Sequence, residues 1–283
     1  MIVKTQDEID TLRECGHRLA KILDKVVKAV KPGVSAKDLD RLAESLILSQ
    51  GGEPVFKGYK IKEEKRAYPA SLCVSINDEI VHGIPLEKKI IKEGDIVGLD
   101  IGMKWPSAKI PNPKSQIPND LFRHSEAEGR RISEGLITDM AVTVGVGKIS
   151  QEAEKLLRST KESLGIGISI LRPGVKLGDL GFIIRKHLEK NNLSIIRDLC
   201  GHGVGKELHE EPMVLNYGKK GTGLELREGM VIAIEPMASL GDWKIKVDSD
   251  GWTIRTADKS LAAHFEHTVV IIKNGAEVLT KIK

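Results

Sequence analysis

The chain writes part of itself twice, and this duplication limits its fold more than any other feature. Pro32-Gly33-Val34-x-x-x-Asp38-Leu39 returns as Pro173-Gly174-Val175-x-x-x-Asp179-Leu180, each time between two stretches of helical apolar spacing. Lys92-Glu93-Gly94-x-Ile96-Val97-Gly98-Leu99-Asp100 is matched by Arg227-Glu228-Gly229-x-Val231-Ile232-Ala233-Ile234-Glu235, and an acid closes both runs. His82-x-x-Pro85 pairs with His209-x-x-Pro212, and Asp139-x-x-Val142 with Glu266-x-x-Val269. Four matched segments in the same order point to two halves of one helix-helix-strand unit. Two copies are too few for a solenoid. They predict an α/β fold of the α+β kind, in which one sheet is covered by helices and matched ligands converge near a pseudo-twofold axis.

Local signals agree. Thr5-x-x-Glu8 is a capping box, after which Leu12, Leu19, Ile22, Leu23 and Val26 recur at helical spacing until Pro32-Gly33 ends the run. Ser35-x-x-Asp38 opens a second helix with Leu39, Leu42, Ala43, Leu46 and Ile47 as its apolar stripe. At 283 residues the chain is long enough for two domains of roughly 150 residues, or for one large one. The duplication favours a single catalytic domain over 1–283, with halves at about 1–147 and 148–283.

Composition excludes several classes. Apolar residues at 40% and charged residues at 30% describe a globular chain with a sizeable core. The apolar runs are far shorter than the ~18 residues a membrane span needs. The first residues, Met1-Ile2-Val3-Lys4-Thr5-Gln6-Asp7, turn polar at once, unlike a signal peptide. Three widely spaced cysteines (Cys15, Cys73, Cys200) argue against a disulfide framework, so a cytoplasmic location is expected. The net charge of +4 comes from mixed rather than clustered charges, and aromatics are only 4%, so no direct nucleic-acid role is expected.

The duplicated positions carry the chemistry: Asp100 with Glu235, Asp139 with Glu266, His82 with His209, and a third imidazole at His202. Each acid stands at one end of an apolar strand-like run, where acids rarely sit without a partner. Any one of them alone reads as an exposed strand cap or an ion-pair partner. Four in register would repel one another unless cations neutralised them, which makes a metal centre the economical reading. Oxygen-rich ligation with one His suits Mn(II), Fe(II) or Co(II), and bridging acids would allow two ions. Metal-assisted amide hydrolysis is then the leading reaction class.

Ile80-Val81-His82-Gly83-Ile84-Pro85, Asp100-Ile101-Gly102, Gly201-His202-Gly203-Val204-Gly205, Leu208-His209-Glu210-Glu211-Pro212, Ile234-Glu235-Pro236-Met237 and Phe265-Glu266-His267-Thr268 together resemble the type I methionine aminopeptidases. The resemblance covers nearly the whole chain. It implies the pita-bread fold and removal of the initiator methionine from nascent chains when the second residue is small, by metal-activated water attack on the first peptide bond. It implies two divalent ions (Co, Mn, Fe(II) or Zn), with Asp100 and Asp139 on one, His202 and Glu235 on the other, and Asp139 and Glu266 bridging. Glu235 would be the general base, His209 would stabilise the carbonyl oxygen or tetrahedral intermediate, and His82 would contact substrate near the scissile bond. Tyr68, Cys73 and Trp252 would form the methionine pocket. The implied partners are nascent polypeptide N-termini and, transiently, the ribosome, with the enzyme a monomer.

The chain departs from the family in three places. The family sets its two aspartates on adjacent strands of a short hairpin, whereas here 39 positions separate Asp100 from Asp139. The added stretch, about 104–134, holds Pro106, Pro111, Pro113 and Pro118 and then a charged run, Arg123 to Arg131, with helical character. It reads as an excursion from the hairpin tip, either a tolerated loop or a segment that docks a partner or overhangs the site. Asp120 competes with Asp139 but precedes no strand-like run. Thr138 stands where a Gly is usual, and Leu208 where an aromatic is common. His17, His124, His187, His264 and His267 read as surface or packing residues, and Cys15 and Cys200 as buried thiols. The competing functions are a proline-directed peptidase of the same fold and a binding module that has lost its metals. The absence of long insertions between His209 and Glu266 speaks against the type II form.

Overall fold

Thr5 starts the first helix as its sequence predicts. Its hydroxyl accepts from the Glu8 amide and the Glu8 carboxylate accepts from the Thr5 amide, which opens α1 (Gln6–Ala29). Ser35 caps α2 (Ala36–Ser49) and Ser150 caps α3 (Gln151–Ser169), while Lys176 precedes α4 (Leu177–Lys190) with no hydroxyl to offer. The computed structural model describes residues 1–3, 5–60, 66–107 and 135–282. Most of the expected excursion at 104–134, with Asp120, His124 and the charged run, lies outside the described residues.

The sequence echo is an echo in hydrogen bonds. Gly33 N–H donates to Ile91 O at 2.9 Å, and Gly174 N–H donates to Leu226 O at the same distance. Ile91 and Leu226 N–H return bonds to Val34 and Val175 O, at 2.9 and 2.8 Å. Both glycines turn through left-handed φ, +89° at Gly33 and +91° at Gly174, where a Cβ would be strained. Gly94 then bonds to Val146 O as Gly229 bonds to Ile271 O, at 2.9 and 2.8 Å. Each half thus ties its inter-helix turn and its strand entry in the same way.

The first half contributes β1 (Glu53–Pro54), β2 (Leu72–Ile76), β3 (Glu79–Val81), β4 (Ile96–Trp105) and β5 (Leu136–Gly145). From the second come β6 (Ser194–Ile195), β7 (Gly201–Gly203), β8 (Glu210–Val214), β9 (Val231–Ile234), β10 (Met237–Ser239), β11 (Ile245–Val247), β12 (Ile254–Thr256), β13 (Ala262–His264), β14 (Glu266–Ile272) and β15 (Gly275–Val278). The curled antiparallel main sheet runs β1-β4-β5-β14-β9-β7-β8, with β2 also on β4 and β15 also on β14. Two smaller sheets, β13-β10-β6 and β11-β12-β3, adjoin it, and the pairing of β12 with β3 joins the halves a second time.

Alternation sets which face each strand shows to its helices. In β4, Val97, Leu99, Ile101, Met103 and Trp105 pack with Leu19, Leu23, Leu39 and Ile47 of α1 and α2, which leaves Asp100 and Gly102 on the other face. A second core sets Leu156, Leu164, Leu180 and Ile184 of α3 and α4 against Ile232, Ile234 and Val269. Burying each such side chain contributes roughly 1.5–3 kcal/mol.

The strands differ from their sequence expectation in one respect. Only the second-half acids mark strand limits: Glu235 follows β9 and Glu266 opens β14. Asp100 and Asp139 lie inside strands that continue to Trp105 and begin at Leu136, so Lys104 and Trp105 belong to the ladder rather than to an excursion. The alternation through Ile101, Met103 and Trp105 keeps supplying side chains to the core, and the strand therefore does not stop at the acid.

Candidate metal centre

Sheet register assembles the site. Cys73 pairs with Asp100, Asp100 with Ala141, and Ala141 with Glu266, giving one row across β2, β4, β5 and β14. Next to Glu266, His267 pairs with Ile234, so one further step along β14 and β9 sets Glu266 beside Glu235. In the neighbouring row Gly102 pairs with Asp139, while Thr268 and His202 both pair with Ala233. Acids alternate with Gly and Ala along these rows, and the small residues leave space above the sheet that the carboxylates share.

Asp139 is fixed most firmly. Its amide donates to Thr268 Oγ1 at 3.0 Å, and the single proton of that hydroxyl lies between the Asp139 carbonyl at 2.8 Å and its Oδ1 at 2.9 Å. Oδ2 is left to face His202 Nε2, 3.4 Å away. His202 Nε2 also stands 3.6 Å from Glu235 Oε1. On the other side of the ring, Nδ1 is 2.9 Å from the Gly203 carbonyl, which can only accept. Nδ1 therefore carries a proton, so that in the neutral tautomer it is Nε2 that presents the lone pair towards the acids, the arrangement of a metal-ligating imidazole.

The electrostatics call for a cation. Asp139 is 2% exposed and Glu266 3%, and atoms of Asp139, His202 and Glu266 lie within 4.8 Å of one another. Burial holds the carboxyls of Asp100, Asp139, Glu235 and Glu266 above the usual carboxylate range, and repulsion from neighbouring acids adds to this at Asp100, Glu235 and Glu266. Carboxylates under such strain take up protons or bind metal. With a prepared imidazole among them, the donor set fits divalent ions of borderline hardness.

The same side chains line a cavity of about 60 Å³ that also includes Tyr68, Cys73, His82, Leu208, His209 and Trp252. The ten residues expected to bind metal, act in catalysis or form the pocket are thus brought together, with Leu208 beside them. His82, His202, His209 and Glu235 also face a wider space of about 450 Å³. His82 holds a left-handed φ of +56°, a conformation that few residues other than glycine adopt, although His does so more readily than most. Burial lowers its pKa to about 4, and burial next to His202 and His82 lowers that of His209 to about 3, so both rings are neutral near pH 7.

The apolar wall is rigid. Tyr68 and Trp252 meet edge to face at 5.3 Å, the Tyr68 hydroxyl donates towards Gly83 O at 3.1 Å, and Trp252 Nε1 donates to Arg66 O at 3.1 Å. Asp250 Oδ1 accepts from the amides of Trp252 and Thr253, both at 2.8 Å. Burial holds the Cys73 thiol protonated, so it offers soft, polarizable surface rather than a nucleophile.

Sequence reading missed three residues. Phe56 and Tyr59 line the cavity, and the Tyr59 hydroxyl is 2.6 Å from His209 Nδ1. His264, expected at the surface or in packing, is 3% exposed with Nε2 3.4 Å from Glu235 Oε2. A signal existed for His264 in its place two positions before Glu266 on an apolar run, but only the tertiary fold turns it towards the acids. Three other histidines fit surface or packing positions: His17 lies near Lys281 O, His187 near Glu162, and His267 bonds Thr280 away from the cavity; of the two thiols expected to be buried, Cys15 is and Cys200 is only half-buried. Thr138 points to Cys15 beneath α1 at 3.2 Å, so its substitution for a glycine bears on helix packing rather than on the pocket.

Comparison with known proteins agrees with this geometry. The pattern of metallopeptidase family M24 matches residues 10–108 and 129–273, and the stretch it skips falls within the 104–134 segment. A methionine aminopeptidase of Aquifex aeolicus is 43% identical over 282 residues, covering 98% of each chain. One from Clostridium acetobutylicum is 40% identical over 280 residues, covering 99% of this chain and 98% of its own. The crystal structure of the Thermotoga maritima methionine aminopeptidase superposes with a TM-score of 0.84 at 41% identity, covering 99% of this chain and 100% of the other. Prolidase from Pyrococcus furiosus, at 22% identity and a TM-score of 0.69, shares the fold. The curled antiparallel sheet under paired helices is the pita-bread fold, and the chain belongs to metallopeptidase family M24 and, within it, to the methionine aminopeptidases.

Proposed function

We infer that this metallo-exopeptidase removes the initiator methionine from nascent proteins whose second residue is small. The observation that carries the reading is the convergence of four duplicated carboxylates and a lone-pair imidazole on the floor of a cavity walled by Tyr68, Cys73 and Trp252. A thioether suits that wall, being apolar, unbranched and polarizable. The domain is read as one unit, 1–283, with halves at about 1–147 and 148–283.

Two divalent ions are the proposed cofactor: Asp100 and Asp139 would hold one, His202 and Glu235 the other, and Asp139 with Glu266 would serve both. When bound, such ions lower the pKa of water and polarise a carbonyl. The chain's own residues do the rest. Glu235 accepts the proton of the attacking water and returns it to the departing amine. His209, neutral and held at Nδ1 by Tyr59, has Nε2 free to donate to the carbonyl oxygen as charge develops there. His82 bonds the substrate near the scissile amide without bringing charge. Tyr68, Cys73 and Trp252 exclude water from around the methionine side chain and hold it.

Nascent N-termini as substrates fit the relatives' names, and transient ribosome association, a monomeric state and a cytoplasmic location belong to the same reading. No helix among the described residues is long and apolar enough to cross a membrane. Methionine release from Met-Ala-x and Met-Leu-x peptides, by metal-free and metal-reloaded protein, tests the proposal. Release from Met-Ala-x only, dependent on metal and lost in Asp139→Ala and Glu235→Ala, is expected. Silence with every divalent ion would remove the reading, and equal turnover of x-Pro peptides would replace it with the proline-directed one.

A further inference from the structure

His264 enters the acid cluster from β13. Its backbone is locked: the amide donates to Thr143 Oγ1 at 2.9 Å, and its carbonyl accepts from the same hydroxyl at 2.8 Å. The ring is 3% exposed, and Nε2 has no hydrogen-bond partner among the described residues. A buried imidazole nitrogen without a partner is rare and costly unless something else satisfies it.

The nearest charged atom identifies what that could be. Nε2 stands 3.4 Å from Glu235 Oε2, beyond the usual range for an N–H···O bond. Two donors on one cation, each bonded at about 2.0–2.2 Å in tetrahedral geometry, are separated by about 3.4 Å. His202 Nε2 keeps the same spacing, 3.4 Å from Asp139 Oδ2 and 3.6 Å from Glu235 Oε1. Glu235 therefore lies between two imidazoles, one facing each of its oxygens. Such spacing suits ligands waiting for an ion better than partners bonded to each other.

We propose that His264 Nε2 is a sixth protein ligand of the metal centre, on the Glu235 Oε2 side, opposite His202. This rests on the metal reading above and adds an imidazole that neither the duplication nor the family resemblance supplies. A second nitrogen donor moves the centre's preference towards Zn(II), Co(II) and Fe(II) and away from Mn(II), which favours oxygen. The backbone lock at Thr143 fixes the Cα that carries the ring before the ion arrives.

X-ray absorption on the full chain, stripped of metal and reloaded with two equivalents of Zn(II), counts imidazoles directly. Wild type is expected to show one per ion on average, and His264→Ala half that number. Calorimetric Zn(II) titration should show one site weakened about 10–100-fold in His264→Ala, partly restored by added imidazole. His264→Gln serves as the second variant if the alanine chain misfolds, and the wild-type count needs no variant. One imidazole per two ions in wild type, or unchanged counts and affinities in the variants, would overturn the assignment while leaving the enzyme reading intact. A wild-type chain that binds no Zn(II) would overturn both.

Discussion

The two halves deliver the same acids by different routes. In the first half, Asp100 and Asp139 sit mid-strand on one long ladder, β4 against β5, registered at ten positions from Ile96↔Gly145 to Trp105↔Leu136. In the second, Glu235 and Glu266 sit at strand limits, and the chain between them leaves the main sheet to build β10 to β13, which carry or flank His264 and Trp252. Only a short register, Glu266↔Ala141 and His267↔Met140, joins β14 to β5. Duplication has thus preserved where the carboxylates meet, while the connections have diverged. The segment between the second pair of acids places Trp252 in the cavity wall and His264 beside Glu235.

If the halves contribute equally to the centre, Asp139→Ala and Glu266→Ala should each lower kcat/KM by roughly 10⁴-fold, the upper range for loss of a positioned reacting group. Metal content measured alongside should fall in both, and a loss confined to one would break the symmetry. The duplicated histidines should behave unequally. His209→Ala is expected to cost roughly 10²–10³-fold in kcat, as for a lost oxyanion donor, and His82→Ala less. Equal losses would show that the Tyr59 contact confers no special role.

Tyr59→Phe sharpens that point. Removing one hydrogen bond worth about 1 kcal/mol should lower kcat about fivefold with KM nearly unchanged. The ring ¹⁵N shifts of His209 should show loss of a single tautomer. A KM effect alone would make Tyr59 a pocket wall only.

The pH dependence of the metal-free protein sets the acids against the histidines. Raised carboxyls, to about 7 at Asp100 and about 8 at Glu235, stabilise the fold below the ordinary carboxylate range, and that stability is lost as pH rises through those values. Lowered histidines, to about 4 at His82 and about 3 at His209, act oppositely: their contribution is full above the ordinary value of about 6.5 and is lost on acidification. Above pH ~6.5 only the acids remain in play, so the Tm of the stripped protein should fall towards pH 8. Zn(II), which displaces those protons, should reverse the slope. The smallest expected difference concerns the helix caps. Ser35→Ala should cost about 1 kcal/mol in urea unfolding, and its counterpart Lys176→Ala close to nothing, since Ser35 alone offers a capping hydroxyl.

Much of this was legible in the sequence because it is local or periodic. Thr5-x-x-Glu8, Ser35-x-x-Asp38 and the repeated Pro-Gly turns mark elements through contacts within a few residues. The acids announced themselves by breaking apolar alternation at matched places. Asp139, the hardest to choose because of the segment before it, is distinguished by the strand that follows, and it is the residue held by Thr268. Tyr59 was not legible, and of His264 only its place near Glu266 was. Tyr59 stands 150 positions from its partner, and His264 meets Glu235 only because β13 folds back onto β10 through Met237↔His264. Sequence spacing carries no trace of such meetings.

The short join between β5 and β14 also has a mechanical side. The two halves meet there along little backbone pairing, and Asp139 and Glu266, one from each side, stand on either edge of it. An ion held by both would rivet the joint, so occupancy and cohesion would rise together by mass action. Chelation should then loosen the molecule from its middle outward, with amide exchange quickening first at Ala141 and His267 while the ten-position ladder of β4 and β5 stays closed.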